Sequence, residues 1–395
     1  MDNGLLKQPG SIFERWAESG GTFLSQVREQ VTAPEQTKKM RRWGIQEAAR
    51  LIGRTPQTLR SAEANDPRFS TLPFGPVSRD SAGHREYTLE RINRYRDLFE
   101  TRRRRPPGST CIRCAVTNFK GGAGKTTTAV HLAQRCALEG LRVLMIDLDP
   151  QATTTLFFGL IPDVHVEREQ TVGDILVDNP TMLRTAIQPS YFPGVDLIAA
   201  NLTLQDAELQ LGNPLVNQEK ITGLNPIQRL DVAIQSVEDE YDVVILDCGP
   251  NLGILTLNAV YAANGLLIPM QPAMADFGSA VSFCQTMATL LSNPRFAKPL
   301  EFVRILVTRH TGTKQAKQSE AMIRLAFDPN VLDPVMVQTT EIERSANEFG
   351  TFYDFEKPRG SPEGHQRALL AMEAVNGAML EVFSNVWSEQ AVRNG

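Results

Sequence analysis

Short runs of apolar residues alternate with longer amphipathic stretches from residue 110 onward. The runs are rich in Val, Ile and Leu, which is typical of strands buried on both faces. The stretches between them carry apolar residues at helical spacing. This alternation predicts an α/β fold with a doubly wound, mostly parallel sheet. The predicted strands are residues 112–117, 142–146, 195–199, 243–246, 265–269 and 305–308.

Residues 40–100 follow a different pattern, in which short helices are separated by turn signals. The segment 45–53 predicts an amphipathic helix that ends at Gly53, and Thr55 followed by Pro56 marks the start of a second helix. A helix, a glycine-containing turn and a helix are the signature of a helix-turn-helix motif. Residues 83–92 resemble the wing and the next helix of MerR-like winged domains. A plain helical hairpin is the alternative that remains open.

Charge favours the DNA-binding interpretation of this segment. Residues 1–105 hold 20 Lys and Arg against 13 Asp and Glu, whereas the remainder holds 21 against 32. A basic region on an acidic body often contacts a polyanion, although a solvated basic face is the alternative. Side chains at the exposed start of the second helix are suited to base edges and phosphates. The candidates for contact with specific DNA are Arg54, Gln57, Thr58, Arg60, Ser61 and Arg85.

Four consecutive arginines, two prolines and a glycine at residues 102–108 mark the clearest boundary in the chain. Like charges repel and proline forbids a continuing helix, so the segment predicts either a hinge or a place where arginines hold DNA phosphates. Near the N-terminus, Phe23, Leu24, Val27 and Val31 predict a helical arm. The predicted organisation is an arm (1–39), a winged helix-turn-helix domain (40–100), a basic, Pro-rich linker (101–109) and an α/β domain (110–395).

Composition narrows the class of protein. A chain of 395 residues with 42% apolar residues can bury more than one core, which excludes a disordered protein. Five cysteines in a long chain do not form a disulfide framework, and the spacing of Cys111 and Cys114 favours packing over zinc because no second pair accompanies them. No apolar run reaches the roughly 18 residues of a membrane span, and the N-terminus has no signal region. We therefore expect a cytoplasmic protein.

A glycine-rich loop follows the first predicted strand and opens a helix. It reads Asn118-Phe-Lys-Gly-Gly-Ala-Gly-Lys-Thr-Thr127, and its glycines let backbone N–H groups surround phosphate oxygens at a helix N-terminus. Lys125 is expected to reach the β- and γ-phosphates of ATP, and the Thr126 hydroxyl to bind Mg²⁺. The pattern G-x-x-x-x-G-K-S/T requires glycine where this chain has Phe119. The predicted ATP-binding residues are Lys120, Gly121, Gly122, Ala123, Gly124, Lys125, Thr126 and Thr127.

Two further predicted strands end in carboxylates. Asp147 and Asp149 end the second strand, and Asp247 ends the fourth. The carboxyl ends of the strands line the ligand crevice of a doubly wound sheet, so these acids and the loop are expected to converge. An Asp at a strand end is also a common cap or turn residue. Three such signals in this order favour an active site.

These motifs resemble a known family, the deviant Walker A ATPases of the ParA/MinD group. The likeness lies in segments 120–127, 147–151 and 241–250 and extends over about residues 110–385. Further segments are similar to the large ParA proteins with an N-terminal DNA-binding domain, in particular the RepA proteins of repABC-type plasmid cassettes. Those segments are residues 191–198, 201–204, 237–245 and 374–377.

The resemblance implies a homodimer that sandwiches two ATP molecules and hydrolyses them to ADP. Lys120 would reach across to the partner's nucleotide, and Asp149 would position the attacking water. Asp147 and Asp247 would lie near the Mg²⁺ shell. Gly249 stands where family members usually have proline, which loosens the loop without removing a ligand.

The resemblance also implies partners: a ParB-like centromere-binding protein, operator DNA and non-specific nucleoid DNA. Candidates for non-specific DNA contact are Arg344, Lys314, Lys317 and Arg324. Relatives of the MinD type hold the membrane with a basic C-terminal helix. Here the apolar stripe of residues 379–387 is flanked by Glu381 and Glu389, which predicts a packed helix and no membrane partner.

The sequence therefore predicts a nucleoid-associated, ATP-dependent partition protein that represses its own operon through the N-terminal domain. One alternative is a sequence-specific repressor in which ATP is only a conformational switch. Another is an ATPase that positions a cargo other than DNA on the nucleoid. The basic N-terminal segment disfavours this second alternative, because minimal cargo-positioning relatives lack it.

Overall fold

The computed structural model describes residues 12, 14–16, 18–20, 22, 38–213, 224–294, 296–354 and 361–394. The chain divides into two compact units, Met1–Lys39 and Met40–Gly395. In the first unit the described positions between 12 and 22 are helical. The apolar positions predicted for the arm, Phe23, Leu24, Val27 and Val31, lie outside the described residues.

The strands of the second unit belong to two sheets. The smaller sheet has three antiparallel strands in the order β1-β3-β2, and the larger has seven in the order β10-β9-β4-β8-β5-β7-β6. The strands are β1 Trp43–Gly44, β2 Ser78–Arg79, β3 Arg85–Tyr87, β4 Ile112–Val116, β5 Val143–Asp147, β6 Gln188–Pro189, β7 Val195–Ile198, β8 Val243–Asp247, β9 Gly265–Met270 and β10 Phe302–Val307.

Every neighbouring pair in the larger sheet is parallel except β6 with β7. Strands β4, β5, β8 and β9 are buried along their whole length, which is why they appear in the sequence as apolar runs. The predicted doubly wound, mostly parallel sheet is confirmed. The prediction missed β6, because two residues at an edge carry no apolar run. It also started β10 too late, since Arg304 interrupts the apolar pattern.

The helices fall into two groups: those before residue 100 belong with the smaller sheet, and those after residue 124 cover both faces of the larger sheet. They are α1 Ile45–Ile52, α2 Pro56–Asn65, α3 Pro67–Ser70, α4 Leu89–Leu98, α5 Lys125–Leu138, α6 Thr153–Phe157, α7 Pro162–His165, α8 Val172–Val177, α9 Leu204–Gly212, α10 Arg229–Gln235, α11 Ile254–Ala262, α12 Met274–Leu291, α13 Lys314–Phe327, α14 Thr340–Asn347 and α15 Pro362–Asn394.

Two apolar clusters lie on the two sides of the larger sheet. Strand alternation sends Ile112, Cys114 and Val116 into one cluster and Cys111 and Ala115 into the other. The first cluster is completed by α5 and α15, and the second by α10, α11 and α12. Both cysteines therefore pack in the core. Within the described ranges, no group of three or more His, Cys, Asp and Glu residues could hold a metal ion.

Residues 40–98, which we call the N-terminal module, contain the predicted helix, turn and helix. Helix α1 ends at Gly53, whose φ of 74° lies in the left-handed region, and the Thr55 side chain accepts a hydrogen bond from Thr58 N (3.1 Å) at the start of α2. Strands β2 and β3 pair antiparallel at the position predicted for a wing. Leu59 and Tyr95 belong to the same apolar cluster as α5 and α15, so the module shares a core with the α/β body (residues 110–394).

The connector (residues 101–109) contains no helix or strand and turns at residues 106–109, and its arginines have partners. Arg102 Nε and Arg104 Nη1 both donate to the Gly140 carbonyl, at 3.0 and 2.6 Å. Arg105 pairs with Asp239 at 3.4 Å. These acceptors offset the repulsion among neighbouring guanidinium groups, so the connector is docked on the α/β body.

Helix α15 carries the C-terminal apolar stripe into the core. Met379, Phe383 and Trp387 are buried, and Trp387 Nε1 donates to the Thr110 carbonyl at 3.1 Å. The stripe is therefore part of a packed helix, as predicted. In the part of the chain that the structure describes, no helix is long and apolar enough to cross a membrane.

Candidate ATP site and DNA-binding surfaces

The glycine-rich loop lies between β4 and α5, at the carboxyl edge of the sheet. Gly122 and Gly124 adopt φ values of 74° and 84°, a conformation that favours glycine. Helix α5 begins directly after Gly124, so the loop ends on the helix N-terminus where anions are favoured. Gly121 and Gly122 are exposed, Ala123 is buried, and Thr127 is half-buried in the first helical turn.

Side chains from the ends of neighbouring strands hold the loop in place. Thr308, just after β10, donates its hydroxyl to the Ala123 carbonyl at 2.8 Å. Gln271, just after β9, donates from Nε2 to the Gly122 carbonyl at 3.0 Å. Because side chains outside the loop donate to these two carbonyls, the loop holds its conformation before a nucleotide binds.

Phe119 replaces the first glycine of the common pattern. Its ring packs edge-on against Phe283 of α12, with ring centroids 4.8 Å apart. The aromatic contact fastens the loop to the second apolar cluster, which a glycine at this position could not do. The departure from the pattern therefore anchors the loop through packing.

The two lysines of the loop have different environments. Lys125 is buried, and its ammonium group donates to the Lys120 carbonyl at 3.0 Å. Burial lowers the pKa of Lys125, although the carboxylates of Asp247 and Asp149 favour its charged form. Lys120 is half-buried at the loop's outer side. A phosphate near Lys125 would add a direct anionic partner for this buried ammonium group.

Two buried carboxylates face each other at the ends of β5 and β8. Asp147 and Asp247 are paired in register and neither is exposed to solvent. Asp147 accepts hydrogen bonds from Thr155 Oγ1 (2.7 Å) and from the backbone N of Thr155 (2.9 Å) and Asp149 (3.1 Å). Burial raises the pKa of Asp147 well above its usual value, and the Asp247 charge adds to this rise.

One carboxylate oxygen of Asp247 has no hydrogen-bond partner among the described residues. Its Oδ2 accepts from Thr154 Oγ1 at 2.8 Å, whereas the buried Oδ1 has no hydrogen-bond partner in the described structure. Burial raises the pKa of Asp247 to about 6, and the hydrogen bond from Thr154 opposes the rise. A buried, unsatisfied carboxylate oxygen beside a threonine hydroxyl fits a hard cation such as Mg²⁺, whose bound water would satisfy it. The donor set therefore fits the expected metal.

Asp149 lies at the outer side of this pair. It is half-buried, and its Oδ1 accepts from Gln151 N at 3.0 Å. Gly249 approaches it, since a Cβ built on Gly249 would stand 3.6 Å from Asp149 Oδ1.

The predicted base-reading residues occupy one exposed helix start. Gln57, Arg60 and Ser61 of α2 are exposed and Thr58 is half-buried, with its hydroxyl 2.8 Å from that of Thr55. The helix is therefore open to a ligand at its N-terminal turn. Its contact with DNA stays a prediction.

The two arginines predicted beside this helix are held within the N-terminal module. Arg54 donates to the Gly53 and Phe99 carbonyls at 3.0 and 3.1 Å and lies over the Phe99 ring. Arg85 forms an ion pair with Glu63. To contact DNA, the guanidinium group of either arginine would have to bind a phosphate or base in addition to its present partners in the module.

The predicted non-specific DNA residues divide in the same way. Lys314 and Lys317 are exposed on α13, and Arg344 is exposed on α14, 3.4 Å from Glu341. Arg324, near the end of α13, is half-buried and donates to the carbonyls of Leu332 and Asp333 in the segment that follows the helix. The structure thus uses Arg324 to hold that segment against α13 and does not place it with the exposed lysines.

The sequence interpretation missed the residues that support the acids. Thr154 and Thr155 start α6 and donate their hydroxyls to Asp247 and Asp147. The signal was available, since three threonines follow the Asp149-Pro-Gln motif at residues 153–155. The sequence analysis used Thr308 only as the end of a predicted strand, whereas in the structure its side chain holds the phosphate loop.

The fold and this site define a P-loop ATPase: a phosphate-binding loop follows β4 of a mostly parallel sheet, and acids stand at the carboxyl ends of β8, its neighbour, and of β5, the next strand. A family model described as an AAA domain matches residues 112–295. SopA of Escherichia coli K12 is 35% identical over 345 residues, which cover 86% of this chain and 87% of SopA. A Sinorhizobium fredii protein with the provisional name replication protein A is 32% identical over 91% of this chain and 90% of its own length.

A solved structure described as a partition protein has the same fold, with a TM-score of 0.62 and 22% identity over 84% of this chain and 95% of that one. The chain therefore belongs to the ParA-like family of partition ATPases. Membership implies ATP hydrolysis in general.

Proposed function

We propose that this protein is a DNA partition ATPase that forms an ATP-sandwich homodimer on non-specific DNA and represses its own operon through the N-terminal module. A ParB-like protein stimulates its weak basal hydrolysis. The observation that supports the ATPase part most directly is the convergence of Lys125, Thr126 and Asp247 at one edge of the sheet. One buried oxygen of Asp247 has no hydrogen-bond partner among the described residues. Similarity to SopA supports the partition role.

Each group of the site has a role in hydrolysis. The loop amides and Lys125 hold and neutralise the β- and γ-phosphates, while Asp149 orients a water molecule toward the γ-phosphorus. The water oxygen forms the new bond, the bond to the β,γ-bridging oxygen breaks, and ADP and phosphate leave. Mg²⁺, when bound beside Thr126 and Asp247, would neutralise charge on the phosphate oxygens. Lys125 already contacts the phosphates of the nucleotide in its own subunit. Lys120 is therefore available to contact the nucleotide of the partner subunit.

The roles of Lys120 and Asp149 are tested by single variants of the full chain. Asp149→Ala is expected to bind ATP and lose turnover by about 100-fold or more, since positioned groups contribute about two to four powers of ten. Lys120→Ala is expected to bind ATP and fail to dimerise in light scattering. Hydrolysis at the wild-type rate in Asp149→Ala contradicts the assignment of the acid, and ATP-dependent dimers of Lys120→Ala contradict the trans contact.

A second candidate function is a repressor whose operator affinity is set by the bound nucleotide. The observation that favours it is a buried arginine of α4 that joins the two parts: Arg96 Nε donates to the Leu51 carbonyl of α1 (2.9 Å), and Nη2 donates to the Leu138 carbonyl of α5 (2.6 Å). Helix α5 carries the phosphate loop at its other end.

Band-shift titrations of the full chain on operator and random duplexes, with no nucleotide, ADP and ATP, separate the two candidates. ATP-dependent binding to random DNA supports partition. Nucleotide-dependent binding confined to the operator supports the repressor. The full chain is required because the N-terminal module and the α/β body share one core.

A further inference from the structure

The arginine run of the connector lines an open depression at the amino edge of the large sheet, opposite the ATP site. Arg104, Arg105 and the turn of residues 106–109 form one side, and Arg142 and Asp242 form the other. Arg142 directly precedes β5 and Asp242 directly precedes β8. Nothing in the proposed ATPase cycle uses this surface.

One acid of the depression is already neutralised. Asp242 is fully buried and accepts from Arg142 Nη2 at 2.8 Å and Nε at 3.3 Å, and also from the backbone N of Arg142 at 2.8 Å. This pair carries no net charge into the depression. The remaining charges there belong to Arg104, Arg105 and Asp239.

The two connector arginines have donors to spare. A guanidinium group has five N–H donors. In the described structure Arg104 makes one side-chain hydrogen bond, to the Gly140 carbonyl, and a longer ion pair with Asp97 at 3.7 Å, and Arg105 makes one hydrogen bond, to Asp239. Asp239 is fully exposed, so water and salt screen its pairing with Arg105. Burial lowers the pKa of Arg104, and the charges of Arg102 and Arg142 add to this shift, whereas Asp242 and Asp97 oppose it. An anion in the depression would relieve this crowding of cations.

The position of the depression indicates which anion it meets. Thr101 of the connector donates its hydroxyl to the Ile52 carbonyl at the end of α1 (2.7 Å). Arg104 lies three residues further on, at most about 11 Å along an extended chain. A duplex that contacts the start of α2 would therefore have backbone phosphates within reach of the connector. The neighbouring acids Glu238 and Glu240 are paired with Arg113 and Arg184.

We propose that this depression binds a phosphate group of the DNA backbone through Arg104 and Arg105, and so extends the DNA contact of the N-terminal module. The inference rests on the proposed DNA-binding role of that module. It adds a sequence-independent contact on the face of the α/β body that lies opposite the ATP site.

The test measures binding of the full chain, without nucleotide, to a fluorescent random-sequence duplex by anisotropy. The titrations are repeated at salt concentrations between about 50 and 200 mM, because several phosphate contacts together change the affinity by about 10³-fold or more over this range. Arg105→Gln is expected to weaken binding about threefold to tenfold at low salt and to reduce the log–log salt slope by about 1. Asp239→Asn, which removes the exposed acid beside Arg105, is expected to tighten binding about twofold. Arg168→Gln is the matched control, because Arg168 loses the same charge from a surface ion pair with Asp174.

Opposite signs for Arg105→Gln and Asp239→Asn, with no effect of Arg168→Gln, support the proposal. Unchanged DNA affinity in both variants overturns it. If inorganic phosphate at constant ionic strength then raises the melting temperature of the wild type but not of Arg105→Gln, the site belongs to a free phosphate. Arg60→Ala identifies the cause of a failure. If Arg60→Ala weakens binding and Arg105→Gln does not, only the depression is refuted, whereas the reverse result refutes the contact through α2.

Discussion

The two ends of helix α5 meet groups of opposite character. At its N-terminus stand a glycine loop and Lys125, arranged around space for an anion. At its C-terminus the Leu138 and Gly140 carbonyls receive guanidinium groups from the chain itself, from Arg96 and Arg104 among others. The helix dipole favours an anion at the first end and cations at the second. The protein supplies the cations and leaves the anion to a ligand.

The two ends of α5 also differ in whether their buried charged groups are compensated by partners. Arg96 is buried but donates to two helix carbonyls and to Asn93, so its burial is compensated even though it lowers the pKa to about 10. Asp147 and Asp247 are buried beside each other, and burial raises the pKa of both. The C-terminal end of α5 is built for stability, and the N-terminal end is built for binding.

Lys125→Ala removes the cation at the N-terminal end and is expected to have the largest effect. ATP affinity should fall about 100-fold or more, because a charge-assisted contact to phosphate is worth about 3 kcal/mol. Global stability should change little, since Lys125 makes a single hydrogen bond and its burial is unfavourable. Isothermal titration with ATP, together with urea denaturation, measures both. Retained ATP affinity would contradict the phosphate assignment.

Arg96→Gln removes the cation that joins α1 to the C-terminal end of α5. We expect a loss of about 2–4 kcal/mol in the free energy of unfolding, because two buried helix carbonyls lose their donors. ATP affinity should change less than about threefold in the fraction that stays folded. Arg94→Gln on the same helix is the control, since Arg94 is exposed. Equal stability of the two variants in urea denaturation would show that the Arg96 contacts contribute nothing.

Asp247→Asn tests the cost of the buried acids at the other end. The pKa of Asp247 is raised to about 6 in the fold, so the carboxyl group contributes stability at low pH that is lost as the pH rises through about 6. Without Mg²⁺ or nucleotide, the variant should therefore be more stable than wild type by about 1–3 kcal/mol at pH 8, and the difference should vanish below about pH 4. Denaturation across this range checks the sign. A variant less stable at pH 8 would refute it.

Gly249→Ala should have the smallest effect. A Cβ at this position makes only an ordinary contact, 3.6 Å from the Asp149 carboxylate. The unfolded chain loses freedom, so stability should rise by about 0.4–1 kcal/mol, with ATP turnover within about threefold of wild type. Thermal melting and a steady-state assay measure these. A large loss of turnover would show that Asp149 needs the space beside Gly249.

The sequence by itself determined the local framework of the site. Glycine spacing placed the loop before a helix, and the apolar runs placed Asp147, Asp149 and Asp247 at strand ends. Parallel topology then brings those ends to one edge, because every strand in such a sheet presents its carboxyl end on the same side. These features follow from spacing along the chain, which periodicity reports directly.

Only the tertiary structure decided which distant groups satisfy each charge. It paired Asp147 with Asp247, placed Phe119 on Phe283, and bonded the connector arginines to the end of α5. Partners such as Arg104 and Gly140 lie far apart in sequence and meet only when two elements pack. Local periodicity contains no information about such pairs. It shows which side of a segment is buried, but not which other segment packs against that side.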